Sequence, residues 1–292
     1  MDDTVIETRD LQYRYGIFEA VRGVNLTVRC GEVYALLGTN GAGKTTTLET
    51  LEGHRRPTGG SVSVFGGDPD DRRAIRPRMG VMLQESGFAP DLTVAETVQL
   101  TGAISGRTDD IARVIDAAQL GAKAATRVTQ LSGGEKRRLD FASAIFGSPE
   151  LLFLDEPTTG LDPTARDGLW DVVRELRDQG TTVLLTTHYL EEAERHADRI
   201  GLMHGGRIER EGTLAELVAG EVAHISFVAP AGARLPLAVA STENGVVTLD
   251  SDDPQRDLWR LLQWADAEDH VLERLQVSAS SLDDLFRSIS GK

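Results

Sequence analysis

GTNGAGKTT, Gly38 to Thr46, decides how this chain is read. It fills the phosphate-binding pattern G-x-x-x-x-G-K-[ST] at every fixed place, with Gly38, Gly43, Lys44 and Thr45 in position. Upstream, VYALL (Val33 to Leu37) has the short apolar run of a buried strand; downstream, TTTLETLEG (Thr45 to Gly53) has the make-up of a helix. Strand, glycine-rich turn and helix in that order point successive backbone N–H groups, and the positive end of a helix, at an anion. Lys44 is placed to reach the β- and γ-phosphates, and the Thr45 hydroxyl to hold Mg²⁺. The expectation is a nucleoside triphosphate site.

Composition narrows the classes. The 292 residues suffice for one large α/β domain with an appendage, or for two modest domains. With 40% hydrophobic and 26% charged residues, the chain is expected to be globular. A net charge of −15 disfavours nucleic acid as the main partner, because binding a phosphate backbone takes a basic face. Two short basic runs, HRRP (His54 to Pro57) and EKRR (Glu135 to Arg138), read as solvated surface. The single cysteine, Cys30, offers neither an internal disulfide nor a cysteine-based metal cluster. No run approaches the roughly 18–20 apolar residues of a bilayer span. The acidic opening MDDTVIETRD lacks the basic-then-apolar order of a secretory signal. A cytoplasmic location is expected, with any membrane association made through a partner. Pro and Gly clusters at Pro57 to Gly60, Gly66 to Pro69 and Ala229 to Pro236 read as loops or joints.

A second nucleotide signature lies downstream. LLFLDEP, Leu151 to Pro157, is an apolar strand ending in two acids, at the sheet edge where ligands of open α/β folds bind. Asp155 is placed to hold Mg²⁺, through a water or directly, and Glu156 to orient or deprotonate an attacking water. LLTTHYL, Leu184 to Leu190, is another apolar strand, ending at His188. A lone histidine there is usually structural; the two earlier strands aimed at one site give it weight. Between them, LSGGEKRRL (Leu131 to Leu139) sets Ser132, Gly133 and Gly134 at a helix start, an anion site or an ordinary N-cap.

These motifs, in this order, resemble the ATP-binding subunits of ABC transporters over about Thr4 to Thr213. The series is an aromatic ahead of the phosphate loop (Tyr15), the loop itself, Gln84 in VMLQES, Ser132-Gly133-Gly134, Asp155-Glu156, Gly160-Leu161-Asp162 and His188. Glu135 departs from the family, standing where the signature often has Gln. The resemblance implies an α/β fold, a P-loop ABC ATPase core with a mixed sheet and a helical subdomain at about 88–149. It implies ATP and Mg²⁺ as ligands, and two subunits packed head to tail, each signature covering the γ-phosphate held by the other. It also implies roles. Tyr15 would stack on adenine, with Tyr13 the competing candidate; Gly38, Asn40, Gly41, Gly43, Lys44, Thr45 and Thr46 would cradle the phosphates. Thr45, Gln84 and Asp155 would arrange the Mg²⁺ shell. Glu156 would be the catalytic carboxylate and His188 would contact the γ-phosphate and the water. Ser132, Gly133 and Gly134 would close the neighbour's site, Asp162 would work across the seam, and Gln84 would begin the segment that touches a membrane subunit.

The texture changes after about Gly220. AHISFVA (Ala223 to Ala229), VVTLD (Val246 to Asp250) and VLERLQV (Val271 to Val277) read as strands. DPQRDLWRLLQWAD from Asp253 and LDDLFRSI from Leu282 have helical spacing, with Ser280 and Ser281 as candidate caps of the second. The expected division is an ATPase domain at 1–219 and a small α/β domain at 220–292. The latter is similar to the C-terminal extension of drug-exporter ATPases of the daunorubicin-resistance type. The resemblance thus implies an ATP-hydrolysing subunit that powers an exporter of a drug, antibiotic or lipid-like cargo. It would sit on the cytoplasmic face of the membrane through a separate permease. Two alternatives stay open: a soluble ATPase that remodels a macromolecular complex, disfavoured by the acidic charge, and a regulatory subunit that does not hydrolyse ATP, disfavoured by Lys44, Asp155, Glu156 and His188 together.

Overall fold

Apolar residues recurring every second position build a long antiparallel hairpin from β1 (Thr4–Tyr15) and β2 (Phe18–Arg29), with Val24, Leu26 and Val28 of β2 all buried. On β1 the buried series Ile6, Thr8 shifts to Leu11 at a register irregularity, where Asp10 takes a left-handed φ of 51°. This hairpin pairs through β1 with β4 (Gly59–Val64) in a three-stranded antiparallel sheet. The computed structural model describes residues 3–84, 87–219, 222–229, 233–278 and 281–290. They divide into two units, 1–213 and 214–292.

The second sheet of the first unit is the scaffold of the site. It has the order β5 (Met79–Met82), β6 (Leu151–Asp155), β7 (Thr182–Thr187), β3 (Val33–Gly38), β8 (Arg199–His204), β9 (Arg207–Gly212). The first five are parallel and β9 returns antiparallel to β8, so the sheet is mixed, as expected. Strands β3, β6 and β7 are buried along their whole length, which is why they read as continuous apolar runs rather than alternations. One core joins Ile6 and Leu26 of the hairpin, Leu36, Phe153 and Leu184 of the mixed sheet, and Leu48 and Leu51 of α1 (Lys44–Leu51). Each such side chain contributes about 1.5–3 kcal/mol by leaving water. After the short α2 (Arg72–Ile75), the stretch from Phe88 to Pro149 is mostly helical: α3 (Val94–Ser105), α4 (Ile111–Ala117) and α5 (Gly133–Ile145). Thr93 and Glu96 form a capping box at the start of α3. Helix α6 (Pro163–Asp178) buries Leu169, Trp170, Val173 and Leu176 on one face, and α7 (Leu190–His196) follows β7.

The second unit begins at Leu214, ahead of the expected 219/220 break, because α8 (Leu214–Val218) packs with α10 (Leu282–Ser290). Its antiparallel sheet has the order β11 (Ser241–Glu243), β12 (Val246–Ser251), β10 (Ala223–Val228), β13 (Glu273–Ser278). Helix α9 (Pro254–Ala267) is capped by Asp253 and adds Leu261 to a core of Ile225, Phe227, Val247 and Leu249. Ser281 caps α10, its hydroxyl accepting from the Asp284 N–H at 3.2 Å; Ser280 lies outside the described residues.

Candidate functional site

The turn from β3 into α1 is shaped by two close approaches. A Cβ on Gly43 would stand 2.5 Å from the Ala20 carbonyl oxygen, and one on Gly38 would stand 2.5 Å from that of Met203. Gly43 also takes a φ of 104°, so both the space and the backbone require glycine. Helix α1 therefore starts without a side-chain cap, and its first N–H groups have no such partner. Lys44, buried at the base of the loop, donates from Nζ to the carbonyls of Gly38 at 2.7 Å and Thr39 at 3.2 Å. Burial lowers its pKa, while Glu156 and Asp155 pull it back up.

A cavity of about 340 Å³ opens over this loop, lined by Tyr15, Asn40, Gly41, Gly43, Lys44, Thr45, Thr46, Gln84 and Glu156, with Phe18, Ala20 and Ala42. Tyr15 is half exposed, its hydroxyl 3.3 Å from Thr46 Oγ1. Its ring meets the edge of Tyr13 at 5.0 Å, and the Arg55 guanidinium lies 5.0 Å from its centroid. Tyr13 is not among the lining residues, so geometry favours Tyr15 of the two.

The acids sit at the carboxyl ends of β6 and β7. Asp155 is buried, accepts a hydrogen bond from the Thr186 hydroxyl, and has its pKa raised by desolvation against that bond. Glu156 holds a left-handed φ of 48°, a strained conformation for this residue type, fixed by its N–H donating to the Thr186 carbonyl at 3.0 Å. Its Oε1 is 3.2 Å from His188 Nδ1 and its Oε2 accepts from Thr159 Oγ1 at 3.4 Å. Among the described residues no three His, Cys, Asp or Glu side chains cluster as a metal site. The donors offered are the exposed Thr45 hydroxyl, the Gln84 amide and the Asp155 carboxylate. These are hard oxygens in too small a number to bind alone, which fits a Mg²⁺ held largely by substrate phosphates and water.

Ser132, Gly133, Gly134 and Asp162 do not line this cavity. Ser132 caps α5: its hydroxyl accepts from the Glu135 N–H at 3.2 Å, and Glu135 Oε2 accepts from the Ser132 N–H at 2.8 Å. Lys123 Nζ lies 3.1 Å from Glu135 Oε1, and these contacts, led by the Ser132 N–H, hold the Glu135 carboxyl below its usual range. Glutamate thus serves as a capping-box partner where the family often has Gln. Asp162 caps α6, accepting from the Ala165 N–H at 3.0 Å. Gly133, Gly134 and Gly160 border a separate cavity of about 570 Å³.

The reading of one residue in the basic runs needs correction. Arg137 of EKRR is buried, not solvated: Nη1 donates to the carbonyls of Leu83 at 2.5 Å and Gln84 at 3.2 Å. Nη2 donates to those of Asp155 and of Glu156 at 2.7 Å, and Nε to Pro157 at 3.3 Å. One guanidinium therefore ties α5 to the chain following β5 and β6. Its spacing from Asp140, Phe141 and Ala144 on α5, all buried, was the available signal. HRRP lies at the surface as expected, with Arg55 paired to Glu49, Arg56 to Asp70, and His54 Nδ1 3.0 Å from a Glu52 oxygen.

Comparison with known proteins bears on the family and the fold. The ABC transporter family model matches residues 21–159, and a C-terminal domain model of ABC transporter domain-containing proteins matches 223–281. The chain is 39% identical to a daunorubicin resistance ATP-binding protein of Streptomyces coeruleorubidus, covering 100% of this chain and 97% of that one. It is 43% identical to a Nod factor export ATP-binding protein of Burkholderia lata over 74% of this chain and 73% of the other. A solved ATP-binding subunit of an ABC transporter superposes with a TM-score of 0.70 at 29% identity, covering 74% of this chain and 92% of that one. A dimeric bacterial ABC transporter cassette does so with a TM-score of 0.65 at 27% identity, covering 72% and 98%. With the phosphate loop, the paired acids and the Ser-Gly-Gly helix start in place on this α/β core, the chain belongs to the ATP-binding subunits of the ABC transporter family.

Proposed function

We propose that this subunit hydrolyses ATP to drive an exporter, and that Glu156, paired with His188, is the carboxylate that activates the water. The observation that carries this reading is the 3.2 Å contact between His188 Nδ1 and Oε1 of Glu156, which lines the cavity together with Lys44. ATP would stack its base on Tyr15 and lay its phosphates along Asn40 to Thr46. Lys44 would exchange its bonds to Gly38 and Thr39 for the β- and γ-phosphates. Mg²⁺, bound by Thr45, Gln84 and Asp155, would neutralise charge on those phosphates. Glu156 would take the proton of the attacking water while His188 orients the water and the γ-phosphate.

Ser132 and its glycines, which lie off this cavity, would complete the neighbouring subunit's site in a head-to-tail dimer, with Asp162 at the seam. No helix among the described residues is long and apolar enough to cross a membrane. By similarity to export ATP-binding proteins, transport would run through a separate permease, with this subunit on its cytoplasmic side. Similarity over nearly the full length to a daunorubicin resistance protein supports a drug, antibiotic or lipid-like cargo. The test is Glu156→Gln, which keeps size and loses the base. It is expected to bind ATP, lose about 10²–10⁴-fold in kcat and accumulate as an ATP-bound dimer on size exclusion. Near-normal turnover removes Glu156 from its role, and monomers at saturating ATP refute the shared site.

A further inference from the structure

Glu192, on α7, belongs to none of the motifs above. It is 6% exposed, and burying a carboxylate is costly unless its oxygens are satisfied. Both are. Oε1 accepts from the Thr158 hydroxyl, and Oε2 from the Thr187 hydroxyl at 3.2 Å. Arg166 Nε of α6 stands 3.7 Å from Oε1, at ion-pair distance but beyond hydrogen-bond reach.

The two threonines are what give this contact meaning. Thr158 lies two residues beyond Glu156, and Thr187 directly precedes His188. The Thr187 hydroxyl also accepts from the Tyr189 N–H at 2.9 Å, while the Glu192 N–H donates to the Tyr189 carbonyl at 3.2 Å. His188 is thus clasped on both sides, and Arg166 sits 5.2 Å over the Tyr189 ring. A single carboxylate grips the loop after β6 and the last residue of β7, the two segments whose separation sets the Glu156–His188 distance.

We infer that Glu192 is a positioning residue for ATP hydrolysis, holding His188 in register with Glu156 by bridging Thr158 and Thr187. This rests on the reading of Glu156 and His188 as the groups acting at the γ-phosphate. Among the described residues none of the bridge's hydrogen bonds reaches Tyr15 or the phosphate loop, so its loss misaligns the pair without weakening nucleotide binding.

The experiment is steady-state ATP hydrolysis by the full-length chain. Glu192→Ala is expected to lower kcat by about ten- to a hundredfold, the scale for small misplacements of a reacting group, with KM for ATP within about twofold. Glu192→Gln can still accept from one threonine and donate to the other, so it restores a large part of kcat. Thr187→Val, nearly isosteric, reproduces the kcat loss, and the Glu192→Gln/Thr187→Val double variant loses no more than the worse single, as groups in one linkage should. A kcat within twofold of the parent in Glu192→Ala, or additive losses in the double variant, overturns the inference. Should Glu192→Ala fail to fold, unchanged kcat in both Thr158→Val and Thr187→Val does the same. Full turnover in Glu156→Gln and His188→Ala would instead sink the underlying reading; loss there with none at Glu192 sinks the bridge alone.

Discussion

Replacing Arg137 by Met keeps the apolar stem and removes the guanidinium that serves five carbonyls, those of Leu83, Gln84, Asp155, Glu156 and Pro157. Hydrogen bonds to a charged group each contribute about 1.5–3 kcal/mol and do not add simply, since the carbonyls regain some partners after relaxation. Removing one member of a buried charged cluster costs about 3–5 kcal/mol, the figure that applies here. Asp140, 3.9 Å from Nη1, loses its neutralising neighbour in the same step. In a unit of this size each kcal/mol moves the midpoint by roughly 2–4 °C, so the midpoint of the unit that contains Arg137 should fall by about 10 °C in scanning calorimetry. Arg138→Met is the control: that side chain is partly exposed and, among the described residues, bonds only the Gln119 carbonyl at 2.9 Å, so a shift of a degree or two is expected. Equal, small shifts in the two variants would refute the claim that Arg137 braces the site.

Asp140 supplies a pH signature. Burial pushes its carboxyl up to about 7, above its unfolded value, so its stabilising contribution is complete below about pH 4 and is lost as pH rises through about 7. Asp140→Asn should flatten that slope in urea unfolding series between pH 4 and 8; an unchanged slope rejects the assignment. Ser132→Arg should leave ATP affinity of the monomer within about twofold, because Ser132 does not line the phosphate-loop cavity. It should also lose about 1 kcal/mol of helix capping and prevent the dimer trapped by Glu156→Gln; a tenfold loss of monomer affinity would place Ser132 in its own subunit's pocket.

The parts legible from sequence were those whose burial is uniform or whose backbone is special. Strands β3, β6 and β7 are buried on both faces and announce themselves as apolar runs, and Gly43 and Gly38 are there because a Cβ has no room. Caps were equally readable at Ser132 and Ser281, where a short polar side chain precedes a helical pattern. The hairpin β1–β2 was less so, because the irregularity between Thr8 and Leu11 interrupts its alternation. Strand β11 has only three residues, Ser241–Glu243, and carries no periodic signal. Arg137 and Glu192 escaped because charge in a sequence defaults to solvent. Only the packed structure brings backbone carbonyls or threonine hydroxyls from distant segments to meet it.

The place of β3 in its sheet has a consequence for how the molecule comes into being. Val33 pairs with Val183 of β7 and Tyr34 with Arg199 of β8, so the strand that launches the phosphate loop has no sheet neighbour from its own half of the chain. The loop is closed from the same far region: the Gly206 N–H donates to the Ala42 carbonyl at 3.0 Å, and Met203 crowds Gly38 and Gly43. The nucleotide motif is therefore translated early and assembled late. A nascent chain that has not yet delivered Arg199 to Gly206 to the folding core carries the whole motif without its supporting frame. Such long-range pairing also slows folding and prolongs exposure of the apolar strands. Capture of a labelled ATP analogue by ribosome-released fragments should therefore switch on only once β8 is present, so nucleotide binding reports that the core has closed.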